Sequence, residues 1–435
     1  MAAEPAEVYP SLDLALRVGE VLLNSGAGAS DVTAAMLDVT RACGVRGVAA
    51  DVTFVDLSLH HQPGADVPAA TQVRRVTRRP VDYEQLTEVQ ALVQDLMDGR
   101  VGASEARTRL AHIVSSGHTR ARWAVTLALG VMGAGLALTF GGDVIVCALA
   151  FLAACAIDRT RVQLAGQALP TYYQQVAGGF IASGIAVAAA ATPLDLNPSR
   201  VVTAGIIVLL AGVGFVGAMQ DAIMSFPVTA GARLVDAVLA TTGIIAGVAG
   251  GLAFSAFADV DLTYHPGAVG PAGTAASMIG AGIAAGAYAY AFHAPTRAVA
   301  VVVGVAAVAK GVALLFSGRD LGAPWGAAVA ATGIGLASYV VSGRVRVPPL
   351  VVVVPSIAPL LPGLAIYRGL ALLADGRDGV SELATAALTA VALASGVIFG
   401  NYLAQPVRQE AKRIGARLAL PRLVAPRRKR RPDAT

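Results

Sequence analysis

The sequence predicts a mainly α membrane protein: ten transmembrane helices arranged as a 5+5 inverted repeat, preceded by a small soluble α/β domain. Three observations carry this expectation. The 435 residues are 55% hydrophobic and 14% charged, with a mean hydropathy of +0.65, far more apolar than a soluble globular chain. The apolar residues concentrate beyond residue 118, in runs long enough to cross a hydrocarbon core of about 30 Å as helices. Two of these runs, 208–252 and 351–373, are interrupted in the same way.

The soluble domain is expected over residues 1–118. SLDLALRVGEVLLNSG and ASDVTAAMLDVTRACG carry apolar residues at helical spacing and read as a helical hairpin. In the GAGAS turn between them, Gly26 reads as a helix stop and Ser30 as the next N-cap. A phosphate loop is excluded there, because no GK[ST] follows and the glycines follow a helix rather than a strand. GVAADVTFVDLSLHHQ reads as one β-branched strand and TQVRRVTRR as a second, followed by helices in DYEQLTEVQALVQDLMDG and SEARTRLAHIVSSG. His60 and His61 lie near Asp51, Asp56 and Ser58, but no GxSxG or HExxH frames them, which disfavours a hydrolase. Cys43, Cys147 and Cys155 have no CxxC or histidine pairing, so neither a disulfide framework nor a metal site is indicated, and no cofactor is called for. The N-terminus lacks the basic and uninterrupted apolar regions of a cleavable signal peptide.

Spans are expected at 122–140, 142–157, 175–192, 201–219, 233–257, 273–292, 297–316, 323–342, 349–373 and 383–404. They divide into a first repeat over 119–260 and a second over 261–405, with a basic tail over 406–435. With ten spans both termini share one side. The loops on that side hold Arg159, Arg161, Arg233, Arg297, Arg344 and Arg346, against Arg200, Arg319 and Arg377 opposite. Positive residues favour the cytoplasm, so both termini are expected inside a plasma membrane. The loop DVDLTYHPGAVGPAG, with two aspartates and no Lys or Arg, falls on the outer side. The net charge of +5 sits largely in the tail, and no nucleic-acid partner is expected. Gly243, Gly247 and Gly251, and likewise Gly282 and Gly286, recur four residues apart, a spacing that lets helices approach closely.

The stretch VVVVPSIAPLLPGLAIYRGLALL places Pro355, Pro359, Pro362, Gly363 and Arg368 inside one span. Interior prolines remove backbone donors, and broken backbone survives at membrane depth only where protein or a water-filled cavity satisfies it. The run from 208 reaches Gly212 and then Asp221 in the same way. Five spans per unit make the second copy inverted, the plan of many secondary transporters, whose substrate sites lie where interrupted helices meet.

The chain also resembles the threonine/serine exporter family over nearly its whole length. The resemblance rests on LLNSGAGASDVTAAMLDVTRACGV, LPTYYQQVAGGFIAS, GVGFVGAMQDAI and PSIAPLLPG. That family usually opens the fourth-span segment with Pro-Gly, where this chain has Ala211-Gly212; Pro362-Gly363 keeps the dipeptide in the second half. The resemblance implies proton-driven export of small neutral amino acids, threonine and serine above all. Export of a small dicarboxylate such as succinate, or an enzyme or sensor acting through the N-terminal domain, are the alternatives.

The substrate-binding candidates are Arg368, Gly363, Pro362, Gln174 and Gln175; the proton-coupling candidates are Asp221, Asp236 and Lys310. A permanently charged arginine fork can hold a carboxylate bidentately, although Arg368 could instead snorkel to an interface. An acid at the end of an apolar run could carry a proton or hold an ammonium; the plain reading of Asp221 is a solvated helix end. Asp236 is spaced to pair with Arg233 along one helix. Lys310 lies deep in its span, either facing a carboxylate or snorkelling. Gln174 and Gln175 open a span after Tyr172 and Tyr173, which could simply form an interfacial belt. The expected partners are a small amino acid, protons and the lipid bilayer, and a homo-oligomer is admitted.

Overall fold

The computed structural model describes residues 5–64, 66–76, 81–117, 120–192, 198–210, 214–257, 271–317, 322–374 and 376–418. The calls on Ala211-Gly212, Arg319, most of the 259–273 loop and the end of the basic tail lie outside the described residues.

The N-terminal module begins with α1 (Pro5–Asn24) and α2 (Ala29–Ala42). Gly26 ends the first with a φ of +86°, and the Gly26 and Ala27 amides return to the Leu23 and Leu22 carbonyls, a Schellman-type stop that glycine makes without strain. The single strand expected over Gly47–Gln62 is two: β1 (Val48–Val52) and β2 (Asp56–His61), paired antiparallel, with β3 (Ala70–Arg75) beyond β2. The Thr53 amide donates to the Asp56 carbonyl at 2.9 Å and closes the intervening turn, so a β-branched run folds back on itself. Helices α3 (Tyr83–Met97) and α4 (Ala103–Ser115) complete the module. The Asp82 side chain caps α3, accepting from the Glu84 amide at 2.9 Å and the Gln85 amide at 3.1 Å. Leu12, Met36, Val39, Leu57, Leu59 and Val89 are fully buried between these elements.

Helices follow almost without pause: α5 (Arg122–Thr139), α6 (Val144–Gly166), α7 (Thr171–Ala190), α8 (Pro198–Leu210), α9 (Gly214–Ile223) and α10 (Pro227–Phe257). Then come α11 (Pro271–Ala291), α12 (Thr296–Phe316), α13 (Ala323–Val345), α14 (Pro349–Ile357), a 3-10 turn (Ala358–Leu360), α15 (Gly363–Ala374) and α16 (Val380–Leu418). Pro198, Pro227, Pro271 and Pro349 each occupy a first helical position, where the missing donor costs nothing. The proline starts move some boundaries from those expected. Helix α10 begins at Pro227, so Arg233 and Asp236 are helical, and α7 begins at Thr171, so Gln174 and Gln175 lie one turn inside. Helix α6 runs on to Gly166, which makes Arg159 and Arg161 helical too, and α16 continues to Leu418.

Among the described residues, five helical segments are long and apolar enough to cross a membrane: Arg122–Thr139, Pro227–Gly251, Thr296–Phe316, Ala323–Val345 and Val380–Ala404. Their outer faces carry exposed Val308, Leu388 and Phe399, which a soluble surface would hide and a lipid phase accepts. Helix α5 packs on α6 and α11, α11 on α12, α7 on α6 and α10, and α13 on α12 and α16, while α8 touches α15 and α9 touches α16. Small residues set the tightest crossings. A Cβ on Gly179 would stand 2.6 Å from the Ile244 carbonyl oxygen, and one on Gly280 would stand 2.6 Å from that of Gly135. Gly243, Gly247 and Gly251 all face α7, whereas Gly282 and Gly286 face Val303 of α12.

A Cβ on Gly247 would overlap the Val176 carbonyl oxygen, whereas one on Gly184 would meet nothing within 4 Å among the described residues. Gly247→Leu should force α7 and α10 apart and cost about 1–3 kcal/mol or more of stability, and Gly184→Leu should cost little. Thermal unfolding in detergent, with folded yield as a second reading, checks the contrast.

Candidate functional site

Helix α14 passes through Pro355 and tightens into the 3-10 turn; Leu361 then turns extended (φ −60°, ψ 141°). The residue before a proline is driven out of the helical region, so Pro362 dictates the break and α15 restarts at Gly363. The start of α15 sits hard on α8: a Cβ on Gly363 would lie 2.8 Å from Ile207 Cδ1 and 3.5 Å from the Thr203 carbonyl oxygen. Gly363 therefore serves close packing between two short helices. Its φ is not positive, so glycine is suited here by the lack of room for a side chain and not by a left-handed backbone. Ser356, one turn before the break, is fully buried, and among the described residues its hydroxyl has no hydrogen-bond partner. Arg368 is half-buried on α15, engaged with a partner.

Short α9 precedes the second feature. Asp221 has 0% exposure, which overturns the solvated helix-end reading. Its Oδ1 accepts from the Ala29 amide at 2.7 Å, and its Oδ2 lies 2.9 Å from Arg233 Nη1, close in charge though off hydrogen-bond alignment. Arg233 Nη2 donates to the Ala27 carbonyl at 2.8 Å. The carboxylate is thus the N-cap acceptor of α2, supplied from 192 residues away, and it also meets the positive end of that helix's dipole. Ser30 does not cap α2; the N-cap position is Gly28, which makes no side-chain cap bond. A Cβ on Gly28 would lie 3.3 Å from Gln220 Nε2 and 3.4 Å from Asp221 Oδ1, and this close approach is why a residue without a side chain suits the turn.

More contacts fix the module around this pair. Thr229 Oγ1 donates to the Val52 carbonyl at 2.9 Å, Phe226 and Leu350 pack on the module's core, and the Tyr83 amide donates to the Phe292 carbonyl at 3.0 Å. The module is therefore bonded to the α9–α10 region on one side and the α11–α12 turn on the other. Asp31, in the first turn of α2, is exposed, yet protein surrounding it and then the Asp221 charge raise its carboxyl above the ordinary range.

The other candidates are dispersed. Gln174 Nε2 donates to the Leu169 carbonyl at 2.8 Å. Gln175 is buried, its Oε1 without a hydrogen-bond partner among the described residues. Tyr172 and Tyr173 stack edge to face beside them. Pro362 and Asp236 are half-buried, and the ion pair of Arg233 at 2.9 Å is with Asp221. Lys310 Nζ stands 5.6 Å from the centre of the Phe140 ring, and among the described residues no carboxylate is within ion-pair distance of it. Sequence reasoning missed Asp158, which accepts from Thr126 Oγ1 at 2.8 Å and pairs with Arg122. Its signal was there: an acid one residue beyond an expected span, with an arginine at the start of the preceding one.

These features define a multi-pass membrane protein with a broken helix at Pro362 and a module bonded to its helix turns. Two threonine/serine exporter models, both designated ThrE, match residues 13–255 and 277–403, and the chain belongs to the threonine/serine exporter family. A Mycobacterium tuberculosis protein named "Probable threonine/serine exporter" is 34% identical over 93% of this chain and 78% of its own length. A Corynebacterium glutamicum protein named "Threonine/serine exporter" is 32% identical over 93% of this chain and 84% of its own. No solved structure matches.

The raised Asp31 carboxyl carries a pH signature. The folded state holds this proton more tightly than the unfolded chain does. The associated stability is full below the ordinary carboxylate value of about 3.9 and is lost as pH rises through the raised one. Asp31→Asn should remove that loss, so its stability relative to the parent should grow with pH and then level off. Solvent contact at Asp31 limits the size of the effect. Thermal unfolding of both proteins between about pH 4 and pH 8 measures it, and parallel curves would refute the assignment.

Proposed function

We propose that the chain exports threonine, serine or similar small neutral amino acids across the plasma membrane, driven by protons. The observation that carries the reading is the interrupted helix α14–α15, whose restart at Gly363 rests on Thr203 and Ile207 of α8. Half-helix ends present uncancelled peptide dipoles, suited to the carboxylate and ammonium of a zwitterion. Both relatives reported above bear the exporter name.

The reading includes ten crossings in two five-helix halves, α5–α10 and α11–α16, counting each interrupted pair as one. The matched packing supports it: α5 on α6 is echoed by α11 on α12, α7 on α10 by α13 on α16, and α9 on α16 by α15 on α10. Both termini are cytoplasmic in this scheme, which puts the turns that hold the module on the module's own side. A cysteine at Ala2 should resist impermeant thiol reagents in intact cells, and labelling there would reverse the orientation.

In this reading Arg368 holds the substrate carboxylate, while Pro362 and Gly363 shape the break and Gln174 and Gln175 line the path. Asp221 carries the coupling proton, with Asp236 and Lys310 as further charges. Protonating Asp221 removes its charge from Arg233 and weakens the hold on α2, linking protonation to a mechanical contact. One proton falling through 100 mV supplies about 2.3 kcal/mol, roughly a fifty-fold gradient of a net-neutral solute.

Purified protein in liposomes tests the scheme with labelled threonine. Asp221→Asn should abolish pH-driven export while exchange at equal pH persists. Arg368→Lys, which keeps charge but loses the fork, should raise KM about ten-fold at unchanged protein level, the worth of one charge-assisted hydrogen bond. Parental driven export by Asp221→Asn removes it from coupling, and transport of succinate instead of threonine replaces the substrate class.

A further inference from the structure

A cavity of about 350 Å³ opens inside the N-terminal module, away from the interrupted helices. Four charged side chains line it: Arg17 and Glu20 of α1, Arg74 of β3, and Asp82 at the cap of α3. Two cations and two anions make the lining neutral overall while leaving both signs on its wall. Leu110 and Val114 of α4 add an apolar side. The charges are held in place before any ligand arrives. Arg74 Nε lies 2.5 Å from Glu20 Oε2, Arg17 Nε lies 2.8 Å from Asp13 Oδ2, and Asp82 is nearly fully buried at the α3 N-terminus. Each guanidinium has more N–H donors than these contacts use. With these charges already paired within the wall, what remains are spare guanidinium donors beside spare carboxylate lone pairs, and a small zwitterion can engage both kinds without unbalancing the neutral lining.

The position of the cavity matters as much as its lining. One wall is the last turn of α1, with Asn24 and Ser25 leading directly into the Ala27–Ala29 turn that Arg233 and Asp221 hold. Another is the start of α3, where Asp82 adjoins Tyr83, whose amide is bonded to the Phe292 carbonyl. The cavity thus lies between the module's two bonded attachments to the membrane part.

We propose that this cavity is a regulatory binding site for a small zwitterion of the amino-acid class, whose occupancy tightens the α1–α2 turn against Asp221 and Arg233. The carboxylate of the ligand faces Arg17 and Arg74 and its ammonium faces Glu20 and Asp82, with a short side chain toward Leu110 and Val114. The binding site stands on the cavity itself; its influence on flux rests on the exporter reading.

Equilibrium dialysis of the full chain in detergent with L-threonine, succinate and ethylamine is the test, combined with hydrogen exchange over residues 26–32. Threonine should occupy a site that is lost in Ala111→Trp, which fills the cavity from its exposed rim, and weakened about ten-fold or more in Arg74→Gln, the worth of a charged hydrogen bond. Succinate and ethylamine should compete poorly. Threonine should slow exchange at residues 26–32 in the parent, and that protection should be absent in Ala111→Trp. Threonine isotherms that are identical in the parent and both variants overturn the site, as does preference for succinate or ethylamine. Binding that stays while liposome flux is absent refutes the exporter reading and leaves this site standing. Flux without the cavity-dependent binding refutes this site alone.

Discussion

Two charged side chains of the membrane part, Asp221 and Arg233, complete the hydrogen bonding of a turn in the soluble module. Helix ends leave backbone donors and acceptors unmet, and here the Ala29 amide and the Ala27 carbonyl, two residues apart, find opposite charges of one ion pair. Breaking such a pair leaves one buried charge alone, at a cost of about 3–5 kcal/mol. The ends of α1 and α2 and the turn joining α9 to α10 therefore hold their shapes together or not at all. Gly26 with φ +86° and Ser225 with φ +67° are the bends that bring the two turns face to face.

The membrane part is held by a different force. Between apolar helices in lipid the hydrophobic effect offers little, and close van der Waals approach decides which pairs stay together. Glycines concentrate on the crossings α5–α11, α7–α10 and α13–α16, where backbone meets backbone. The interrupted helices lie among these rigid pairs, with Gly363 of α15 seated on α8. The break at Pro362 leaves peptide groups outside the regular ladder, and buried Ser356 Oγ, one turn before it, has no hydrogen-bond partner among the described residues.

Much of this was legible in the chain. Apolar run length located the long helices, and Pro362 located the break, because the effect of a proline on its predecessor is local. What could not be read was non-local or depended on a single turn. Asp221 could be singled out as an acid at the end of an apolar run, but not its partner, which is 192 positions away. GAGAS read as a turn capped by its own Ser30, since nothing in five residues reveals a cap donated from another part of the fold. Val48–His61 read as one strand because its turn carries neither glycine nor proline, only Thr53 bonding across to Asp56. For Lys310 the sequence left a carboxylate partner and snorkelling both open, and its neighbour across the packing, the Phe140 ring, lies 170 positions away and could not be read from the span.

The two modes of cohesion have different tolerances. Apolar contacts such as Gly363 against Ile207 can slide by fractions of a side chain with gradual loss, because dispersion energy is spread over many atoms. The polar contacts of the module cannot, since a hydrogen bond weakens steeply once its angle or distance departs from a narrow range. The module is fixed by such contacts to two separate turns of the membrane part, at Asp221 and Arg233 and at Phe292. A relative shift of those turns must therefore break one attachment, deform the module between them, or be prevented. The cavity bounded by α1, β3, α3 and α4 gives the module space to deform, and its charged walls are where a ligand could set how readily it does so.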